Sequence, residues 1–151
     1  MARTDHNTSS QPGDSSRGSV QYLNPEGMLK NRAFSQVVVA SGPVKIVYVG
    51  AQTPVDETGT IIGKGDIAAQ TEQVLKNLET CLQAAGAGPE HIAQWNVYIV
   101  HDQPVRPAFE ASMRWWGDRP NPPANSVVLV SGFPLLPDVL LAIDAVALVP
   151  A

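Results

Sequence analysis

The sequence predicts an α+β sandwich, a sheet with two helices packed on one of its faces. Five apolar segments have strand composition, and three of them carry apolar residues at both alternating positions. Those three are Val47-Tyr48-Val49, Val127-Val128-Leu129-Val130 and Val139-Leu140-Leu141-Ala142-Ile143. A strand with one wet face alternates apolar with polar, so a continuous apolar run implies cover on both faces. Only two segments have helical character, and two helices blanket one face of such a sheet. The other face needs cover from outside the chain, most economically from further copies of it.

The elements follow in order. Residues 1–18 are polar, rich in Ser, Gly, Pro and Asn, and predict a disordered or flexible arm ahead of a single domain over residues 19–151. Val20-Gln21-Tyr22-Leu23 fits a short edge strand, stopped by the turn cluster Asn24-Pro25-Glu26-Gly27. Strands are expected over Phe34–Ala40 and Lys45–Ala51, with Ser41-Gly42-Pro43 between them at hairpin distance. Thr53-Pro54-Val55-Asp56-Glu57-Thr58-Gly59 is a surface turn. Asp66 is placed to cap a helix over Asp66–Ala85, in which Ile67, Thr71, Val74, Leu78, Leu82 and Ala85 recur at spacings of 3 or 4. Gly86 stands where a left-handed C-terminal residue belongs. A strand over Gln94–His101 precedes a helix over Val105–Trp116 that ends at Gly117, and strands over Ser126–Ser131 and Val139–Leu148 finish the chain. The order is β-β-α-β-α-β-β, with an extra leading strand if Val20–Leu23 pairs.

Composition narrows the function. A length of 151 residues, 44% of them apolar and 16% charged, describes one ordinary globular domain. The net charge of −4, with Lys and Arg scattered over different elements, argues against a nucleic-acid scaffold. Cys81 is the single cysteine, so no disulfide framework exists and a reducing compartment is expected. No apolar run reaches the length of about 18 residues that a bilayer requires, and the N-terminus lacks the apolar core of a secretion signal. A cytoplasmic location is expected. His6, His91 and His101 form no ligand set, so metal binding is not expected. Gly63-Lys64-Gly65-Asp66 lacks phosphate-loop spacing and reads as turn plus cap.

Several segments, in sequence order, carry a resemblance. They are Asn24-Pro25, Phe34-Ser35-Gln36-Val37, Val47-Tyr48-Val49-Gly50-Ala51-Gln52, Asp56 with Gly59, and Asp66-Ile67-Ala68-Ala69-Gln70-Thr71. They continue with Asn77-Leu78, Ala84-Ala85-Gly86-Ala87, Val97-Tyr98-Ile99-Val100-His101-Asp102, Pro123-Ala124-Asn125-Ser126-Val127 and Ile143-Asp144-Ala145-Val146-Ala147. Together they resemble the reactive-intermediate deaminase (Rid, RidA/YjgF-type) family over about Tyr22 to Leu148. The resemblance implies a chorismate-mutase-like fold and a homotrimer whose sheets line a central barrel, with ligand clefts between subunits. It also implies cofactor-free hydrolysis of enamines or imines made from amino acids.

Carried over residue by residue, the family's carboxylate-binding arginine is Asn125 here, and its nearby cysteine is Val127. Its tyrosine is Phe34, its serine is Gly50 with Gln52 retained, and the first acid of its terminal pair is Ala142. The second acid survives as Asp144. An asparagine of the second helix falls near Phe109. An Arg–carboxylate contact is worth about 1.5–3 kcal/mol, and Asn125 brings hydrogen bonds without charge. A carboxylate in such a cleft would be desolvated without a counter-ion. Asn125 and Phe34 therefore predict a neutral or differently oriented ligand.

Each candidate has a plainer role. Asp144, on the same strand face as Ala142 and about 7 Å from it, either places or deprotonates a water or serves as a hydrogen-bonded structural carboxylate. Asn125 is a cleft ligand or the start of a strand, and Gln52 touches ligand or ties down a loop. Trp116 belongs to the core at helical spacing from Met113 and Phe109, leaving Trp115 exposed or interfacial. Cys81 reads as a small buried hydrophobe. The leading expectation is a homotrimer that binds a small carbonyl or imine metabolite in intersubunit clefts and hydrolyses it through a placed water. The rivals are a catalytically silent ligand-binding trimer and, last, an RNA endonuclease.

Overall fold

The apolar stripe after Asp66 folds as helix α1 (Ile67–Ala84) in the computed structural model, which describes residues 16–151. Ala69 N donates to Asp66 Oδ1 at 3.1 Å, so Asp66 caps the helix as its position predicts. At the other end Lys45 Nζ donates to the Ala85 and Gly86 carbonyls at 2.6 and 3.4 Å, answering carbonyls that the helix leaves unpaired. The arm expected over residues 1–18 lies outside the described residues, save for 16–18.

The remaining elements are β1 (Ser19–Leu23), β2 (Val37–Ser41), β3 (Val44–Gln52), β4 (Ile92–Val100), α2 (Val105–Trp116), β5 (Ala124–Val130) and β6 (Leu141–Pro150), with a 3-10 turn at Pro89–His91. Both helices and the alternation of strands and helices match the sequence-based expectation. The leading strand is real, because β1 pairs with β2 in antiparallel register from Ser19–Ser41 to Leu23–Val37. The hairpin is not. β3 pairs antiparallel with β6 instead of with β2, and the main sheet runs β3-β6-β4-β5 with β4 and β5 parallel. Gly42, at φ 71, turns the chain out of one sheet and into the other, bringing Pro43 O to accept from Ala151 N at 3.1 Å.

Strand starts also move. Phe34 lies outside β2, in a turn where it bridges Asn31. The next residue, Ser35, is buried and tied to the β5 approach: its N donates to Pro123 O at 3.1 Å and its Oγ to Pro122 O at 2.6 Å. Val139 and Leu140 are buried but precede β6, because Leu140 N donates to Gln70 Oε1 at 2.8 Å rather than to a strand neighbour.

Helix α1 lays Val74, Leu75, Leu78 and Leu82 on the sheet, where they meet Val49 of β3, Ile92, Trp95 and Ile99 of β4, and Leu141, Ile143, Ala145 and Ala147 of β6. α2 packs beside α1. Odd-numbered residues of β6, of β3 up to Val49 and of β4 from Trp95 on thus face the helices, and even-numbered ones there face the other way. The phase changes at the irregularities between Val49 and Gln52 and between Ile92 and Gln94. That second face is uncovered in one chain: Tyr48 is 78% exposed, Ile46 51% and Val128 45%.

Candidate functional site

Strand β5 is the sheet edge beside α2, and pairing Trp95 with Asn125 and Val97 with Val127 fixes its register on β4. Neighbours in register share a face, so Asn125 and Val127 point to the helix side. There they line an open groove with Ala33, Phe109, Pro123 and the floor residues Trp95 and Trp116. The two positions flagged on β5 and the Phe109 position of α2 therefore meet at one place. Phe34 stands next to it in sequence, on the turn that Ser35 fastens to Pro122 and Pro123.

Three indoles support the groove floor. Trp95 lies 6.1 Å from Trp115 and 6.2 Å from Trp116 between ring centroids. Trp116 is core, as its spacing predicts. Trp115 is not exposed: it packs against the core, donates from Nε1 to Glu79 Oε2 at 3.1 Å and carries the Arg119 guanidinium 5.5 Å from its ring. The Trp95 indole N–H is the one buried side-chain polar atom without a partner among the described residues. Such an orphan costs about 1–3 kcal/mol. Trp95→Phe removes it at the expense of a smaller ring, so unfolding in urea should shift by under about 1 kcal/mol, against roughly 3–5 for an ordinary buried Trp→Ala. A loss near the larger figure would show that the N–H has a partner.

Asp144 belongs to the opposite face. It stands in register with Asn96, one residue out of phase with Trp95 and hence with Asn125. Asn96 Nδ2 donates to Asp144 Oδ1 at 2.9 Å and Tyr98 OH to Oδ2 at 2.8 Å, so each carboxylate oxygen has a donor. The hydrogen bond to Asp144 raises the Tyr98 phenol above its ordinary pKa, with lost hydration and the carboxylate charge acting in the same direction. Across β3 the register slips between Val49 and Gln52, leaving Gly50 and Ala51 opposite Asp144 as a bulge. Ala142 is in register with Tyr98 on the same face. Asn96 and Tyr98 escaped the sequence reading, although two polar groups spaced two apart inside an apolar strand were a legible signal.

Gln52 joins neither group. Its Nε2 donates to Gly50 O at 3.0 Å, bracing the bulge within its own strand, and it borders a polar hollow with Asp56, Lys76, Asn77 and Cys81. Cys81 is half-buried between that hollow and the core, rather than enclosed. The Asp56 carboxylate is held below its ordinary pKa by the Thr58 hydroxyl first and then the Thr60 N–H, which marks a self-contained turn. Asn77 Nδ2 fastens that turn to α1 through Thr53 O and Val55 O at 3.0 and 2.8 Å. Among the described residues, no three His, Cys, Asp or Glu side chains gather where they could hold a metal ion, and no helix is long and apolar enough to cross a membrane.

This frame has relatives. Residues 28–149 match the family described as Endoribonuclease L-PSP. The chain belongs to that family. Within it, a RutC family protein of Synechocystis sp. is 35% identical over 118 residues, covering 78% of this chain and 86% of the relative. A RutC family protein of Pyrococcus horikoshii is 34% identical over 115 residues, 76% of this chain and 85% of that one. Among solved structures, YyfB of Yersinia pestis, described as a Rid family protein of unknown function, superimposes with a TM-score of 0.74 at 30% identity, covering 85% of this chain and 97% of its own. TdcF of E. coli, solved with bound serine, gives a TM-score of 0.60 at 28% identity, over 68% of this chain and 79% of that one. The Rid resemblance read from the sequence therefore stands, and with it the α+β, chorismate-mutase-like architecture of the L-PSP family.

Proposed function

We propose that this L-PSP family chain assembles as a cytoplasmic homotrimer and binds a small carbonyl or imine compound in clefts between subunits. In each cleft the Asn125–Val127 groove of one copy faces the Gly50, Ala142 and Asp144 surface of the next. A water placed there by Asp144 and backbone carbonyls hydrolyses the imine: it adds to the imine carbon, and the resulting carbinolamine expels ammonia to leave a carbonyl. The observation that carries this reading is the split site. Asn125 and Asp144 point to opposite faces of one sheet, so one chain cannot bring them to the same ligand, whereas two chains can. The exposed apolar residues Ile46, Tyr48 and Val128 give the open face a reason to be covered. A small ligand also suits a fold that in TdcF was solved with bound serine.

The test pairs assembly with turnover. Light scattering should return a particle of three chains, and a panel of imines of differing charge should show accelerated ammonia release for at least one. Asp144→Asn should abolish that release, by about 100-fold or more if a general base is lost, while the particle keeps its mass. An assembly that falls apart on this substitution would make Asp144 structural.

A second reading, a ligand-binding trimer without turnover, is favoured by the bonding of Asp144. Asn96 and Tyr98 already occupy one carboxylate oxygen each, the arrangement of a carboxylate held in place by its neighbours. A metabolite that raises the melting temperature without being consumed would support that reading. RNA cleavage is not proposed, because the groove is apolar and the chain carries a net charge of −4.

A further inference from the structure

We infer that the α2–β5 groove selects an uncharged ligand with an aromatic or branched apolar body, held through its carbonyl or amide by the side chain of Asn125. The inference rests on the cleft proposed above and adds its selectivity.

The lining decides the body of the ligand. Val97 and Val127 from the sheet, Phe109 and Met113 from α2, and the Trp95 and Trp116 rings are the large apolar groups of a wall whose polar side chains are Ser112 and Asn125 alone, and no charged side chain is among the lining residues. Phe109 and Val127 are each 51% exposed, so two large apolar groups stand at the mouth with nothing of this chain over them.

The polar groups decide the head. Ser112 Oγ donates back to Ala108 O at 2.9 Å, a contact internal to α2. Asn125 is exposed and its side-chain amide makes no hydrogen bond within the described residues. A planar amide offers two N–H donors and one carbonyl acceptor. It can therefore pair twice with a primary amide, or with an imine N–H and an adjacent carbonyl.

Charge is the excluded feature. The basic residues on and after α2 are already engaged: Arg106 with Glu110 at 2.8 Å, Arg114 with Glu72 at 3.6 Å, and Arg119 with the Trp115 and Trp116 carbonyls at 2.6 and 2.9 Å. A carboxylate in the groove would lose water and gain no counter-ion. An aliphatic or aromatic body would meanwhile gain burial against six apolar walls.

The probes are hydrocinnamamide and hydrocinnamate, alike in size and different in charge, titrated calorimetrically into the full-length protein in its native assembly. The amide should bind at least about tenfold more tightly, a factor that a single desolvated charge readily exceeds. Asn125→Arg should reverse the preference, and Asn125→Ala should weaken the amide without helping the acid, which keeps the test open if the arginine variant does not fold. Equal or tighter binding of hydrocinnamate to the unsubstituted protein overturns the inference, as does an Asn125→Arg variant with unchanged preference. If neither probe binds while an imine from the panel is still turned over, the selectivity fails and the proposed cleft survives. A single-chain particle inert to both probes and imines overturns the cleft itself.

Discussion

Replacing Gln70 with alanine lowers the free energy of unfolding by about 3 kcal/mol, within a range of roughly 2–5. Gln70 is fully buried in α1, yet its amide makes three bonds to backbone groups. Nε2 donates to Gly63 O at 3.2 Å and Asp138 O at 2.8 Å, while Oε1 accepts from Leu140 N at 2.8 Å. These bonds tie the turn before α1 to the loop before β6. Alanine leaves a buried N–H and carbonyls unpaired and opens a void beneath Val139 and Leu140. Gln70→Met, which keeps the volume, separates the two contributions and should cost about 2 kcal/mol from the lost bonds alone. Urea unfolding measures both variants, and hydrogen exchange at the Leu140 amide should accelerate in each. A loss below about 1 kcal/mol for the alanine variant would mean that the amide does not hold these loops.

Tyr48→Glu should break the proposed assembly. Tyr48 is 78% exposed and lies in register with Val146 on the face turned away from the helices, with Ile46 beside it on the same strand. A carboxylate there costs little in an isolated chain, because water solvates it. Pressed against an apolar neighbour it loses that water, at several kcal/mol per copy. The particle mass should fall to the 16.1 kDa of one chain at micromolar concentration, with the far-ultraviolet circular dichroism unchanged. A variant that keeps three times that mass would show that the open face is not where copies meet. Imine turnover should vanish together with the assembly, since each proposed cleft takes a wall from two chains.

Local pattern carried much of this protein. The recurrence of Ile67, Val74, Leu78 and Leu82 fixed α1 and the face it buries, because helical periodicity is a property of one segment. Asp66 was legible as a cap for the same reason. The apolar runs announced strands and a shortage of cover. Where pairing partners mattered, pattern failed: Ser41-Gly42-Pro43 has hairpin spacing, yet β2 goes to β1 and β3 to β6. A short turn permits a hairpin without compelling one, and β6 offered β3 a long complementary partner in the main sheet.

Trp115 shows a second limit. Its place beside Trp116 on α2 predicted an exposed or interfacial ring; it is not exposed, because α1 supplies Glu79 to its indole N–H and Arg119 lies over its ring. Neither neighbour is visible from the helix on which Trp115 sits. Gln70 likewise gave no sign in the helical pattern that it would join the turn just before α1 to a loop near the far end of the chain.

The sequence by itself determined the helices, the strands, the family frame and the residues at each flagged position. Which of those residues can share a ligand was decided only by tertiary structure. Alternation along a strand is fixed locally, but the phase of one strand relative to another depends on the register of β4 against β5 and β6. Trp95 is the reference: it pairs with Asn125 on one side and Ala145 on the other, which turns Asp144 to the far face. A slip of one residue would have put Asn125 and Asp144 on the same face of one chain.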